Sequence, residues 1–148
     1  MGTRNNGKAI DILLAEDNPG DIMLTNKAFE EGKIANKLHT VQSGVEALQF
    51  LRREGDFASA PRPDLILLDI RMPGKDGMEV LDEIKKDSEL KCIPVVMLTS
   101  SEAEEDILKS YELSANAYLS KPVDFDGFVK IVNTLEDFWF SVVKLPPS

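Results

Sequence analysis

The chain has one cysteine, Cys92, and one histidine, His39, in 148 residues. A single thiol excludes an intramolecular disulfide and fits a reducing compartment. With apolar Ile93 beside it, Cys92 is expected to be a buried structural thiol rather than a reactive one. His39 falls in what reads below as an edge strand and is taken as structural. No apolar run approaches the length needed to span a bilayer. Met1 to Lys8 is polar and lacks the apolar stretch of a signal peptide. Gly2 invites a myristoylation reading, but Asn6 stands where Ser or Thr is wanted. Basic residues are outnumbered, 17 Lys and Arg against 26 Asp and Glu, for a net charge of -9. Nothing resembles the basic stripe of a nucleic-acid binder, and the length leaves no room for an appended DNA-binding domain. These absences point to a cytoplasmic protein that touches neither membrane nor nucleic acid.

What is present is ordinary globular material, 43% hydrophobic and 29% charged, long enough for one self-sufficient core. Residues 1–8 are expected to be a disordered tail, and 9–148 a single domain. Its centre is Leu65-Ile66-Leu67-Leu68-Asp69, four apolar residues running into a carboxylate, with Pro73-Gly74 just beyond. Such a run predicts a strand buried on both faces. Taken alone, Asp69 reads more simply as a strand-end aspartate capping the next turn. The rest of the chain reverses that.

Ile10 to Ala15 predicts a first strand ending in Glu16-Asp17, and Asn18-Pro19 is a cap and first position for a helix to about Glu31, stopped at Gly32. Lys37 to Gln42 predicts a short second strand. Ser43 to Glu46 reads as a capping box opening a helix through Arg53. After the Asp69 strand, Asp76 to Glu79 opens a third helix with Val80, Leu81 and Ile84 inward. Ile93 to Leu98 predicts a fourth strand that delivers Thr99, followed by a second capping-box pattern, Ser101 to Glu104, and a helix to about Leu113. Asn116 to Ser120 predicts a fifth strand ending at Lys121-Pro122. Asp124 caps a last helix whose apolar stripe is Phe125, Phe128, Val132, Leu135, Trp139 and Val142. Five strands alternating with helices imply an α/β fold, a parallel (βα)5 sheet covered on both faces, for which the flavodoxin-like order 2-1-3-4-5 is one of few right-handed solutions.

In a parallel sheet Glu16-Asp17, Asp69, Thr99 and Lys121 end up along one edge. Two carboxylates about 4 Å apart repel by ~4 kcal/mol at an effective dielectric of 20. Lys121 and a divalent cation would offset this, and an all-oxygen set with no His or Cys suits Mg2+.

Glu16-Asp17, the run Asp69-Ile70-Arg71-Met72-Pro73-Gly74-Lys75-Asp76-Gly77, Thr99-Ser100 and Lys121-Pro122 together resemble the receiver domain of two-component response regulators, over about residues 9 to 140. The tail Phe138 to Pro147, with Glu16 to Pro19 and the loop Ala58 to Pro63, is similar to the stand-alone phytochrome response regulators of cyanobacterial type. The resemblance implies that Asp69 accepts a phosphoryl group from a phosphohistidine on a histidine kinase, here a bacteriophytochrome. It also implies that Glu16, Asp17, Asp69 and the backbone carbonyl of Arg71 bind Mg2+. Thr99 and Lys121 would meet the phosphoryl oxygens, Lys121-Pro122 would be a cis peptide, and Tyr118 would pair with Thr99 as a switch. Arg71 and Ser101 occupy the two positions that set phosphoryl lifetime in that family. Such a protein is no enzyme beyond its own phosphotransfer and dephosphorylation, and it signals to a downstream protein or phosphorelay partner by contact.

Two other readings stay open. A haloacid-dehalogenase-type Mg2+ phosphohydrolase also works through an aspartyl phosphate, but it wants aspartate where Arg71 stands and a cap domain. A receiver-like adaptor would bind its partner unphosphorylated. A final expectation concerns assembly: a helix from Phe125 to Val143 would be about 28 Å long and would outrun a strand of ~20 Å. Its last turns hold Phe138, Trp139, Phe140, Val142 and Val143, which predicts a homodimer through this extended C-terminal helix.

Overall fold

The computed structural model describes residues 9–32, 34–110 and 117–132. The expected tail at 1–8 and the C-terminal extension, with its apolar run and predicted dimer contact, lie outside the described residues. Five strands, β1 (Ile10–Ala15), β2 (Asn36–Val41), β3 (Leu65–Asp69), β4 (Val95–Thr99) and β5 (Ala117–Ser120), form one parallel sheet in the order β2-β1-β3-β4-β5. Helices α1 (Pro19–Glu30), α2 (Gly44–Arg52), α3 (Gly77–Lys86), α4 (Glu102–Ser110) and α5 (Phe125–Val132) alternate with them. This is the flavodoxin-like order expected from the sequence. No described helix is long and apolar enough to cross a membrane.

β3 and β4 are buried at every position, as a strand with helices on both faces must be. Successive side chains alternate between two cores. Ile66 and Leu68 join Leu48, Leu51, Val80, Leu81 and Ile84 on the face of α2 and α3. Leu65 and Leu67 join Phe29 and Phe128 on the face of α1 and α5, where Phe125 packs with both rings. β2 is the half-exposed edge. There His39 Nε2 lies 2.9 Å from Asp11 Oδ1, and Asp64 accepts the Asp11 N–H at 2.8 Å, so the lone histidine ties β2 to β1.

Local signals place the helix starts. Asn18 accepts the Asp21 N–H at 3.0 Å. Asp76 and Glu79 form a reciprocal capping box at 2.9 and 3.1 Å. Asp124 accepts the Gly127 N–H at the head of α5. The other two capping boxes form only by half. Ser43 accepts the Glu46 N–H, but the Glu46 carboxylate takes the Gln42 N–H at 2.8 Å instead of that of Ser43. Ser101 accepts the Glu104 N–H, while the Glu104 carboxylate turns inward to other partners.

Three further expectations need correction. Cys92 is exposed: it occupies the α3–β4 turn, where the chain directs Ile93 into the core and leaves its neighbour outside. β4 begins at Val95 rather than Ile93 and includes Thr99, because Pro94 has no N–H for the ladder, although its carbonyl accepts from Ile66. β2 is shifted by one residue, to Asn36–Val41.

Candidate phosphoryl-acceptor site

The pairing register carries each strand-end residue to one edge. Ala15 lies beside Leu68, Asp69 beside Leu98, and Thr99 beside Ser120. Glu16, Asp17 and Asp69 therefore converge, with one carboxylate oxygen from each within 4.8 Å of the others. Glu16 and Asp69 are buried, whereas Asp17 is exposed at the rim. Glu16 is further fixed by accepting the Asn18 N–H at 3.1 Å.

Lys121 enters from the loop after β5 and is joined to Pro122 by a cis peptide, as expected. Its N–H donates to the carbonyl of Thr99 at 2.7 Å, which fastens that loop to β4. Its ammonium reaches Glu16 at 3.0 Å, Asp21 at 3.0 Å and Asp69 at 3.4 Å. Asp21 was absent from the expected set. It stands in the first turn of α1, whose amino end opens on the same edge. The Asn18-Pro19 helix start puts Asp21 in the first turn, which is as much of its placement as the sequence carries.

Charge dominates this edge: the Lys121 ammonium meets Glu16, Asp21 and Asp69, and exposed Asp17 adds a further carboxylate beside Glu16 and Asp69. Burial and the neighbouring Glu16 carboxylate, which shares a hydrogen bond with it, push the Asp69 carboxyl up to about 7, against the pull of Lys121. Burial works against the Lys121 ammonium, but hydrogen bonds to Asp21 and Glu16 and the charge of Asp69 outweigh it and hold this lysine above the ordinary range. The donor set is oxygen only, two of its three carboxylates are buried, and negative charge exceeds positive. That chemistry fits a hard divalent cation.

Thr99 is fully buried, and its hydroxyl donates to the Leu119 carbonyl at 3.4 Å, a long bond. Tyr118 is half-buried and packs against the core under α2 and α3. The β3–α3 loop between Asp69 and α3 is held close to the strand. Gly77 donates to the Ile70 carbonyl at 2.8 Å, and a Cβ on Gly77 would collide with the Asp69 carbonyl oxygen. Lys75 pairs with Glu83, which also takes Arg52 at 3.3 Å. Arg71 sends its side chain away from the acidic cluster, to Glu104 at 2.8 Å.

Residues 12–133 match the family model described as the response regulator receiver domain. The chain belongs to that family. Response regulator Rcp1 of Synechocystis sp. is 44% identical over 137 residues, which cover 93% of this chain and 93% of Rcp1. Its Mn2+-bound form superposes with a TM-score of 0.71 at 43% identity, covering 93% of this chain and 99% of that one. The bacteriophytochrome response regulator AtBRR gives a TM-score of 0.84 at 42% identity, covering 95% and 99%. The phosphorylated cyanobacterial phytochrome response regulator RcpA gives 0.73 at 46% identity, covering 94% and 99%. The receiver family and the likeness to phytochrome response regulators thus agree with the expectation drawn from the strand-end motifs.

Proposed function

We propose that this receiver accepts one phosphoryl group on Asp69 from a histidine kinase, a bacteriophytochrome, and passes the signal on by protein contact. The observation that carries the reading is the convergence of Glu16, Asp17, Asp69 and Lys121 on one sheet edge. The phosphorylated state of RcpA and the phytochrome partnership in the names of RcpA and AtBRR support it.

A carboxylate oxygen of Asp69 attacks the phosphorus of the phosphohistidine in line. The P–N bond breaks, its electron pair stays on the imidazole nitrogen, and an acyl phosphate forms on Asp69. Such a transfer needs positioning and charge neutralisation more than covalent assistance. Glu16, Asp17 and Asp69, with the backbone carbonyl of Arg71, would hold Mg2+, which when bound neutralises charge on the phosphoryl oxygens. Lys121 supplies a fixed positive charge beside Asp69, already ordered by Glu16 and Asp21. The Thr99 hydroxyl gives up the Leu119 carbonyl for a phosphoryl oxygen, and Tyr118 follows it inward as the switch. The role is that of a phospho-acceptor with, at most, its own dephosphorylation. Arg71 in place of a second aspartate disfavours the phosphohydrolase.

The test is transfer from a phosphorylated bacteriophytochrome kinase in the presence of Mg2+, run beside turnover of p-nitrophenyl phosphate. Rapid transfer of one phosphoryl group per chain with no ester turnover is the expected result. Multiple turnovers of the ester would establish the hydrolase, and inertness toward both histidine kinases and acetyl phosphate would establish the adaptor.

A further inference from the structure

Glu104 lies in the first turn of α4 with 3% of its side chain exposed, and nothing in the phosphoryl chemistry uses it. A buried carboxylate persists only if its oxygens are satisfied. Burial pushes the Glu104 carboxyl up, but hydrogen bonds from Ser100 and Arg71 outweigh it and hold the group below its ordinary range. The Ser100 N–H donates at 2.7 Å, the Ser100 hydroxyl lies 3.2 Å from both oxygens, and the Arg71 Nε–H donates at 2.8 Å. The Arg71 side chain is otherwise 76% exposed, so its guanidinium covers the carboxylate from outside.

The positions of these partners matter more than their number. Arg71 is two residues past Asp69, and Ser100 directly follows Thr99. One buried carboxylate therefore ties the loop after the acceptor strand to the loop after the threonine strand, and both to α4. The far end of the β3–α3 loop is anchored independently by Gly77 and by the Lys75–Glu83 pair. In this same arrangement the Thr99 hydroxyl is engaged with Leu119. Because Ser100 directly follows Thr99, any movement of the β4–α4 backbone toward a group on Asp69 pulls Ser100 against its bonds to Glu104.

We propose that Glu104 is a positioning residue whose latch on Ser100 and Arg71 holds the β4–α4 loop in its resting conformation, so that phosphoryl binding at Asp69 opens the latch and releases the start of α4. This rests on the receiver reading above. A bond that exists only in the resting state lowers the population of the competent state and so weakens any ligand of that state.

The test measures, by calorimetry with Mg2+ present, the apparent affinity of the full chain for beryllofluoride, a phosphoryl mimic. Arg71→Ala and Glu104→Gln should each bind about tenfold more tightly than wild type. The double variant should bind no more tightly than either single one. Arg71→Lys should fall between wild type and Arg71→Ala, because lysine keeps the charge without the guanidinium N–H geometry. Amide exchange across Ser100 to Glu104 should quicken in Arg71→Ala without any ligand. Unchanged or weaker affinity, or additive effects in the double variant, would overturn the latch. Should Glu104→Gln fail to fold, the exposed Arg71 side chain still gives Arg71→Ala and Arg71→Lys, whose order decides the matter. Wild-type affinity retained in Asp69→Asn, or no binding by the wild type, would instead break the receiver reading and the latch with it.

Discussion

Replacing Asp69 by Asn should stabilise the protein, in a way that depends on pH. The side chain of Asp69 is only 5% exposed and lies against Glu16. Its carboxyl titrates near 7 in the folded chain, against 3.8 for the unperturbed group. Because the folded state holds this proton more tightly, the unfolded state ionises first. The stability associated with Asp69 is therefore greatest below about pH 4 and is lost as the pH rises through 7. At 1.36 kcal/mol per unit, the whole window corresponds to ~4 kcal/mol. Asparagine has no charge to desolvate and can still accept from Lys121. In urea unfolding followed by circular dichroism, with a chelator present, Asp69→Asn should exceed wild type by little near pH 4 and by ~2–4 kcal/mol at pH 8. Added Mg2+ should narrow the difference by binding the ionised wild-type carboxylates. A difference that stays constant from pH 5 to pH 8 would refute the argument that burial and Glu16 make Asp69 an unfavourable anion.

Other consequences follow from the same geometry. Lys121→Ala removes the ammonium that meets Glu16, Asp21 and Asp69. Its circular dichroism spectrum should persist in Mg2+, while labelling by acetyl phosphate should slow by a factor of about 100. Gly77→Ala sets a methyl group against the Asp69 carbonyl oxygen, and urea unfolding should show a loss of ~1–3 kcal/mol. The apolar run from Phe138 to Val143 motivates self-association. Sedimentation should give a dimer for the full chain and a monomer after truncation at Asp137, and a full chain that stays monomeric at every accessible concentration would count against it.

The convergence of these side chains on one sheet edge was legible in the sequence where the apolar strand runs decide position. Asp69 and Thr99 end strands, and Lys121 and the Glu16-Asp17 pair directly follow strands, so placing β1, β3, β4 and β5 to within a residue or two brought them to one edge. Asp21 escaped because its place depends on the direction of α1 and on the reach of Lys121, neither of which is a local pattern. Glu104 escaped for a different reason. Ser101-x-x-Glu104 satisfies the capping-box pattern, and the Ser101 half does form. Its carboxylate, however, finds a guanidinium and a second serine in the interior, and a charge-assisted bond to Arg71 outcompetes a local backbone N–H. Cys92 shows the same limit, since an apolar neighbour says nothing about which way a turn residue faces. The fold itself followed from the alternation of five apolar runs with helix-start signals, which tolerates shifts of a residue or two at strand ends.

The central claim is that Asp69 is the acceptor. Treating the full chain with acetyl phosphate and Mg2+, reducing the acyl phosphate with borohydride and sequencing the peptides by mass spectrometry tests it directly. The account predicts one modified residue, Asp69, no modification when Mg2+ is chelated, and none in Asp69→Asn. Modification at Glu16, Asp17 or Asp21 in place of Asp69, or undiminished labelling of Asp69→Asn, would contradict it.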